Sequence, residues 1–166
     1  MNNTWIIFVA ALVPMIVGFI WYNPKVFGNA WMKAANMTDE KVKSGNMPLI
    51  FGVSYLLSCL LAAAMCQIAI HQIGVFSLFA IVPDFDPEGT NELSVQFQNL
   101  QAQFKGMHRT FGHGALHGVL AGLFIALPLL ATNALFERKG FKYISVNVGY
   151  WIVTLALMGG VVCAWL

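Results

Sequence analysis

The chain has 166 residues, of which 58% are hydrophobic and 10% charged, and it carries a net charge of +2. A soluble domain has about 25% charged residues, so the composition excludes an ordinary soluble domain. The small net charge, with no run of basic residues, also excludes a nucleic-acid-binding protein.

Four apolar stretches follow one another along the chain, and none contains Asp, Glu, Lys or Arg: residues 4–22, 48–70, 111–135 and 144–166. A bilayer core about 30 Å thick needs about 20 apolar residues of helix. The sequence therefore predicts an all-α fold, a polytopic membrane protein whose four transmembrane helices form one domain over residues 1–166. Pro14 predicts a kink in the first helix, because proline removes a backbone hydrogen bond.

Between the second and third stretches, residues 73–110 are predicted to form an extracytoplasmic insert. Its apolar part, residues 73–82, is too short to span, so it either prolongs the second helix or lies in the interface. From Asn91 onward, apolar residues follow a/d spacing. The pattern predicts that the third helix extends outward, as one helix over residues 91–137 that is amphipathic before it enters the bilayer. Thr38 is a predicted helix cap, and either Thr90 or Asn91 is predicted to cap the long helix.

Basic residues are concentrated in the first and third loops. These loops contain Lys25, Lys33, Lys41, Lys43, Arg138, Lys139 and Lys142, whereas the opposite side has only Lys105 and Arg109. By the positive-inside rule, the first and third loops face the cytoplasm. Both termini and the insert are therefore predicted to lie outside.

Three glycines spaced four residues apart, Gly114, Gly118 and Gly122, lie on the third predicted helix. Such a stripe lets another helix approach closely. It serves either a homo-oligomer contact or a contact with the first or fourth helix of the same chain.

His113 and His117 are also four residues apart, a spacing that places two imidazoles on one helix face and suits a shared metal ion. The predicted topology brings further ligand types to the same outer leaflet: His108, His71, Cys66 and Cys163. The group is a candidate ligand site for Zn, Cu or haem. Because a spacing of four between two histidines is common, the sequence favours the other interpretation, in which the histidines are interfacial and bonded to backbone or water, the cysteines lie in the core, and no cofactor is bound.

A group of polar residues lies toward the inner side of the predicted helices: Tyr22, Asn133, Asn147 and Tyr150. Polar side chains in membrane helices pair between helices or line a cavity. The group therefore predicts interhelical hydrogen bonds or a pocket for a small molecule or lipid.

Residues 12–40 contain Gly18, Trp21-Tyr22, Pro24, Phe27-Gly28 and Trp31, and residues 148–160 read VGYWIVTLALMGG. Together with the weaker match LPLLATNALFERK over residues 127–139, they resemble a family of small bacterial membrane proteins, domain of unknown function seventeen-sixty-one. The resemblance implies a four-helix fold in a bacterial inner membrane. It does not point to any particular activity.

No intramembrane carboxylate is available for ion coupling, and no nucleophile or phosphate-loop motif occurs. The sequence favours a non-enzymatic, oligomeric scaffold or accessory subunit that acts through helix contacts with itself or another membrane protein. The alternative is a small transporter or a metal- or haem-binding membrane protein that uses the outer histidines.

Overall fold

The computed structural model describes residues 3–166, and all the regular structure in that part of the chain is helical. Residues 1 and 2, with which the predicted domain begins, lie outside the described part. The helices are α1 (Trp5–Ala10), α2 (Val13–Trp21), α3 (Gly28–Ala35), α4 (Asp39–Lys43), α5 (Met47–Ala69), α6 (His71–Ala80), α7 (Glu92–Gln103), α8 (Phe111–Ala121), a π-helical segment (Gly122–Ala126), α9 (Leu127–Phe136) and α10 (Phe141–Trp165).

Three helices are long and apolar enough to cross a membrane: Met47–Ala69, Phe111–Phe136 and Phe141–Trp165. They match the second, third and fourth predicted spans to within three residues. The first predicted span differs, because Trp5–Trp21 is shorter and is divided into α1 and α2 at Ala11 and Leu12. The division precedes Pro14. In a continuous helix Pro14 would have no N–H to donate to the carbonyl of Ala10, and its ring would clash with that carbonyl.

Helix α10 is the centre of the bundle, and α1, α2, α5 and α8 all contact it. The core lies where α5, α8 and α10 meet, and its largest fully buried side chains there include Met65, Met158 and Val162. Since α5 and α10 run in one direction and α8 and α9 in the other, Ala69, Phe111 and Trp165 share one end of the bundle.

The helix from Phe111 to Phe136 contains the π-helical segment, which lies directly before Leu127 and Pro128. Pro128 cannot donate to the carbonyl of Phe124 and its ring clashes with it, and a widened turn is a usual response to such a clash. The extra residue of that turn rotates everything that follows relative to α8.

The predicted outward extension of the third helix is wrong. Instead of one helix over residues 91–137, α7 ends at Gln103 and α8 begins at Phe111. Gly106 and His108 between them take left-handed conformations, with φ of 75° and 59°. A side chain then caps α8, as the hydroxyl of Thr110 accepts a hydrogen bond from the backbone N–H of His113 at 3.2 Å. The break separates the amphipathic segment from the apolar one.

In the insert, α7 packs against α6. Residues 71–80 are helical, and a kink at Ile70 sets them off from α5. Four phenylalanine rings join the two helices and their connecting loop, with centroid separations from 5.1 to 6.3 Å: Phe76, Phe79, Phe85 and Phe97.

Candidate metal centre

Three histidines meet at the end of the bundle where α5 ends and α8 begins. His71 is the first residue of α6, and the extended backbone of Ile70 turns it away from the axis of α5. His113 and His117 lie one turn apart on α8, so their side chains project from the same face. His71 is exposed, and the other two are partly buried.

The ring nitrogens of these residues point at one another. Nε2 of His113 lies 3.0 Å from Nε2 of His71 and 3.1 Å from Nε2 of His117, and the three nitrogens lie within 4.8 Å of one another. A neutral imidazole nitrogen is either a donor or an acceptor. Nε2 of His113 therefore cannot form full hydrogen bonds with both neighbours, whereas a cation between the three lone pairs would satisfy all of them.

The spacing of the rings fits coordination to one ion. The three centroid separations are 5.0, 5.0 and 4.6 Å. With Zn–N bonds of about 2.0 Å, two imidazoles on a tetrahedral ion have nitrogens about 3.3 Å and ring centroids about 5 Å apart. Imidazoles on opposite sides of a square-planar ion or a haem iron would be about 6 Å apart. The triangle therefore fits a tetrahedral ion better than haem.

His108 lies at the edge of this cluster. Its ring stacks on that of His113 with centroids 4.8 Å apart and lies 6.4 Å from the ring of His71. Its nitrogens are not part of the close group formed by the other three histidines. A cavity of about 260 Å³ adjoins it, lined by His71, Gln72, Val75, Phe104, Met107 and His108.

The structure places the two predicted cysteine ligands in the protein core. The Cys66 thiol donates to the carbonyl of Ala62 at 3.1 Å. The Cys163 thiol lies 3.4 Å from the carbonyls of Ala69 and His108, so it connects the end of α5 to the turn before α8. Neither sulfur joins the histidine nitrogens.

The three predicted packing glycines all face α10. A Cβ atom on Gly114 or Gly118 would overlap the backbone of Gly159 or Leu155, and one on Gly122 would meet Ile152. The stripe is thus filled by the last helix of the same chain, the second of the two predicted alternatives.

The inner polar residues form two separate interhelical links. The hydroxyl of Tyr22 donates to Oδ1 of Asn147 at 3.0 Å, and that of Tyr150 donates to the carbonyl of Pro14 at 2.9 Å. Tyr22 and Tyr150 also line a groove of about 600 Å³ between α2 and α5. Asn133 is exposed on α9, away from both links.

A comparison with known protein families gives one match, to the model described as "Protein of unknown function (DUF1761)", over residues 5–163. The chain belongs to the DUF1761 family. The match covers nearly the whole chain, including the insert and all three clustered histidines. No curated protein and no solved structure matches this DUF1761 chain.

Gln72 supports the site of this DUF1761 protein, and no sequence pattern predicts that role. The side-chain amide of Gln72 donates to the carbonyls of Phe104 and Met107 at 2.8 and 3.0 Å, and thereby holds the turn containing His108 against α6. Glutamine is common on exposed helices, so the position of Gln72 next to His71 is the only sequence feature that associates it with the site.

Proposed function

We propose that this protein is an integral membrane protein that binds one Zn²⁺ ion through His71, His113 and His117. The observation that supports the proposal is that three imidazole nitrogens, from two helices, lie within 4.8 Å of one another. Two of these residues lie on a single helix turn, while the third is separated by 42 positions in the chain. A chance pair at helical spacing explains His113 and His117 but not His71.

The choice of Zn²⁺ follows from the ligands and their arrangement. Imidazole nitrogen suits Zn, Cu, Ni and Fe, and no carboxylate joins the group among the described residues. The nearly equilateral triangle of rings favours tetrahedral coordination, which Zn²⁺ accepts without a penalty from d-electrons. Cu²⁺, which prefers a tetragonal arrangement, fits this triangle less well.

In the proposed topology the chain crosses a bacterial inner membrane four times, and the metal site faces outward. Helices α1 and α2 together follow α10 along the bundle. The side-chain amide of Asn3 donates to the carbonyl of Trp165 at one end, and the indole of Trp21 donates to the carbonyl of Val146 at the other. The two links are 19 residues apart on α10, which is about 28 Å of helix.

The alternative is an oligomeric scaffold or accessory subunit. The glycine stripe no longer favours it, because α10 occupies that stripe. A self-associating form would have to use another face of the bundle.

The test is metal content after equilibration of the detergent-purified protein with Zn²⁺ and removal of excess ion. We expect one Zn²⁺ per chain for the wild type and its loss in His113→Ala, because His113 is the ligand shared by both close pairs. Asn133→Ala is the matched control, since it alters an exposed residue away from the site.

Native mass spectrometry of the same samples gives the bound mass and the subunit number together. A wild type that retains no more zinc than His113→Ala contradicts the proposal, and a metal-free oligomer supports the scaffold instead.

A further inference from the structure

We propose that His108 is the fourth ligand of the metal, so that the site closes as four imidazoles when the ion binds. The inference rests on the proposed zinc site and adds to it the group that completes the coordination. Three protein ligands leave one position of a tetrahedral ion for water or another molecule, whereas four protein ligands are typical of a structural site.

The distances place His108 close to the missing position. Its ring centroid is 4.8 Å from that of His113, near the separation of about 5 Å for two imidazoles on one tetrahedral ion, but the two rings are stacked at 26°, so the His108 ring must turn before one of its nitrogens reaches the ion. Its separation from His71 is 6.4 Å, so the ring must approach His71 by about 1 Å. Rotation of an exposed side chain is enough for a displacement of that size.

The backbone around His108 is held by hydrogen bonds, while its side chain is exposed and contacts the ring of His113. Gln72 holds the carbonyls of Phe104 and Met107 on one side, and the Cys163 thiol contacts the carbonyl of His108 on the other. The side chain itself is exposed and borders the cavity of about 260 Å³ beside His71. The turn is therefore held in position, and there is space for the ring to move.

The left-handed backbone also positions the side chain. His108 has φ of 59°, a conformation uncommon for residues other than glycine, although Asn, Asp and His adopt it more readily than most. It reverses the chain between α7 and α8 and directs the imidazole back over His113. A continuous helix through this region would not turn the chain back in this way.

The test uses Co²⁺ as a spectroscopic substitute for Zn²⁺ in the full-length, detergent-solubilised protein under reducing conditions. His108→Cys replaces the proposed nitrogen ligand with a thiolate. We expect a near-ultraviolet thiolate-to-Co²⁺ charge-transfer band in this variant and none in the wild type, because no cysteine sulfur joins the histidine nitrogens among the described residues and the thiols of Cys66 and Cys163 face carbonyl groups. Met107→Cys is the matched control, because it places a thiol on the neighbouring exposed residue of the same turn.

A second variant, His108→Asn, removes the imidazole but tolerates the left-handed backbone. We expect its Kd for Zn²⁺ to rise by more than about 100-fold, the upper limit for the loss of an outer-shell partner. Absence of the band in a His108→Cys protein that binds Co²⁺, or zinc affinity of His108→Asn within about 100-fold of the wild type, would overturn the assignment of His108 and leave the three-histidine site intact. A wild type that binds neither metal would instead refute the zinc site itself.

Discussion

Asn147 shows how a polar side chain is accommodated on an otherwise apolar helix. Its Nδ2 donates to the carbonyl of Tyr143 at 2.8 Å on the same helix, and its Oδ1 accepts from the hydroxyl of Tyr22 across the bundle. Both ends of the amide are therefore paired, as a group in an apolar environment requires. Of the two alternatives that the sequence left open, Asn147 takes part in the interhelical bond, and the groove lined by Tyr22 and Tyr150 leaves room for the other.

We expect the Tyr22–Asn147 bond to contribute a measurable coupling energy. Tyr22→Phe and Asn147→Ala each remove one partner, and in membrane proteins such bonds are worth about 0.6 kcal/mol on average and about 1.7 kcal/mol at most. A double-mutant cycle of unfolding free energies in detergent measures the coupling. Two single effects that simply add would show that the bond contributes nothing.

The residues of the candidate metal centre differ in how far the sequence could predict them. His113 and His117 are linked by helical spacing alone, so their common face follows from the sequence. The addition of His71 depends on the kink at Ile70 and on the packing of α5 against α8, which no local pattern encodes. The thiols of Cys66 and Cys163 lie in the same region, but hydrogen bonds to carbonyl groups direct them elsewhere.

At the scale of helices, the contact between α8 and α10 is the most extensive in the described part of the chain. Gly114 faces Gly159, and Gly118 faces the carbonyl of Leu155, so backbone meets backbone with no side chain between. Such a contact gains van der Waals packing and tolerates no added atoms.

We expect Gly118→Ala to destabilise the protein by about 1–3 kcal/mol, the usual cost of overpacking a filled core. Gly112→Ala is the matched control on the same helix, since a Cβ atom there meets nothing within 4 Å. Thermal unfolding in detergent compares the two variants. Equal stability of the two would mean that α8 and α10 are further apart than described here.

The predicted long third helix was wrong for a reason that the sequence itself contained. An a/d pattern describes only the spacing of apolar residues. It can therefore continue across a turn, and it does not distinguish one long helix from two helices between which the backbone reverses direction. Gly106 and Thr110 lie in the middle of that pattern, and glycine followed by a capping residue is typical of a helix end and a new start. The cap at Thr38 was confirmed, and of the two candidates Thr90 and Asn91 the structure uses Asn91, because each cap depends only on residues within one turn.

At the scale of the whole molecule, the charge distribution and the bundle ends together predict the orientation. The turn between α9 and α10 contains Arg138 and Lys139, and Lys139 also donates to the carbonyl of Ala35 at the end of α3. The first and third loops therefore lie on the same side of the bundle, and the histidine cluster lies at the other end.

We expect alkaline phosphatase fused after Leu166 to be active in bacterial cells, because this enzyme folds only outside the cytoplasm. Fusion after Lys139, in the basic turn, should be inactive, and fluorescent protein fused at the same two positions should give the reverse pattern. Active phosphatase after Lys139 would contradict the orientation and place the histidine cluster on the cytoplasmic side.

The π-helical segment explains why Asn133 does not join the inner polar group. In a regular helix of about 3.6 residues per turn, Asn133 lies three turns after Gly122 and on the same face. The widened turn shifts the register by one, so Ala134 is buried and Asn133 is exposed. The extra residue held in the wide turn sets which face the ten following residues present. A regular α-helix of unchanged length would turn the amide of Asn133 into the bundle, whereas deletion of a single residue from Gly122–Ala126 would remove the extra residue and keep Ala134 inward. Two family members that differ there by one alignment gap would therefore present the same face to the interior, one through a π-helical turn and the other through a regular helix.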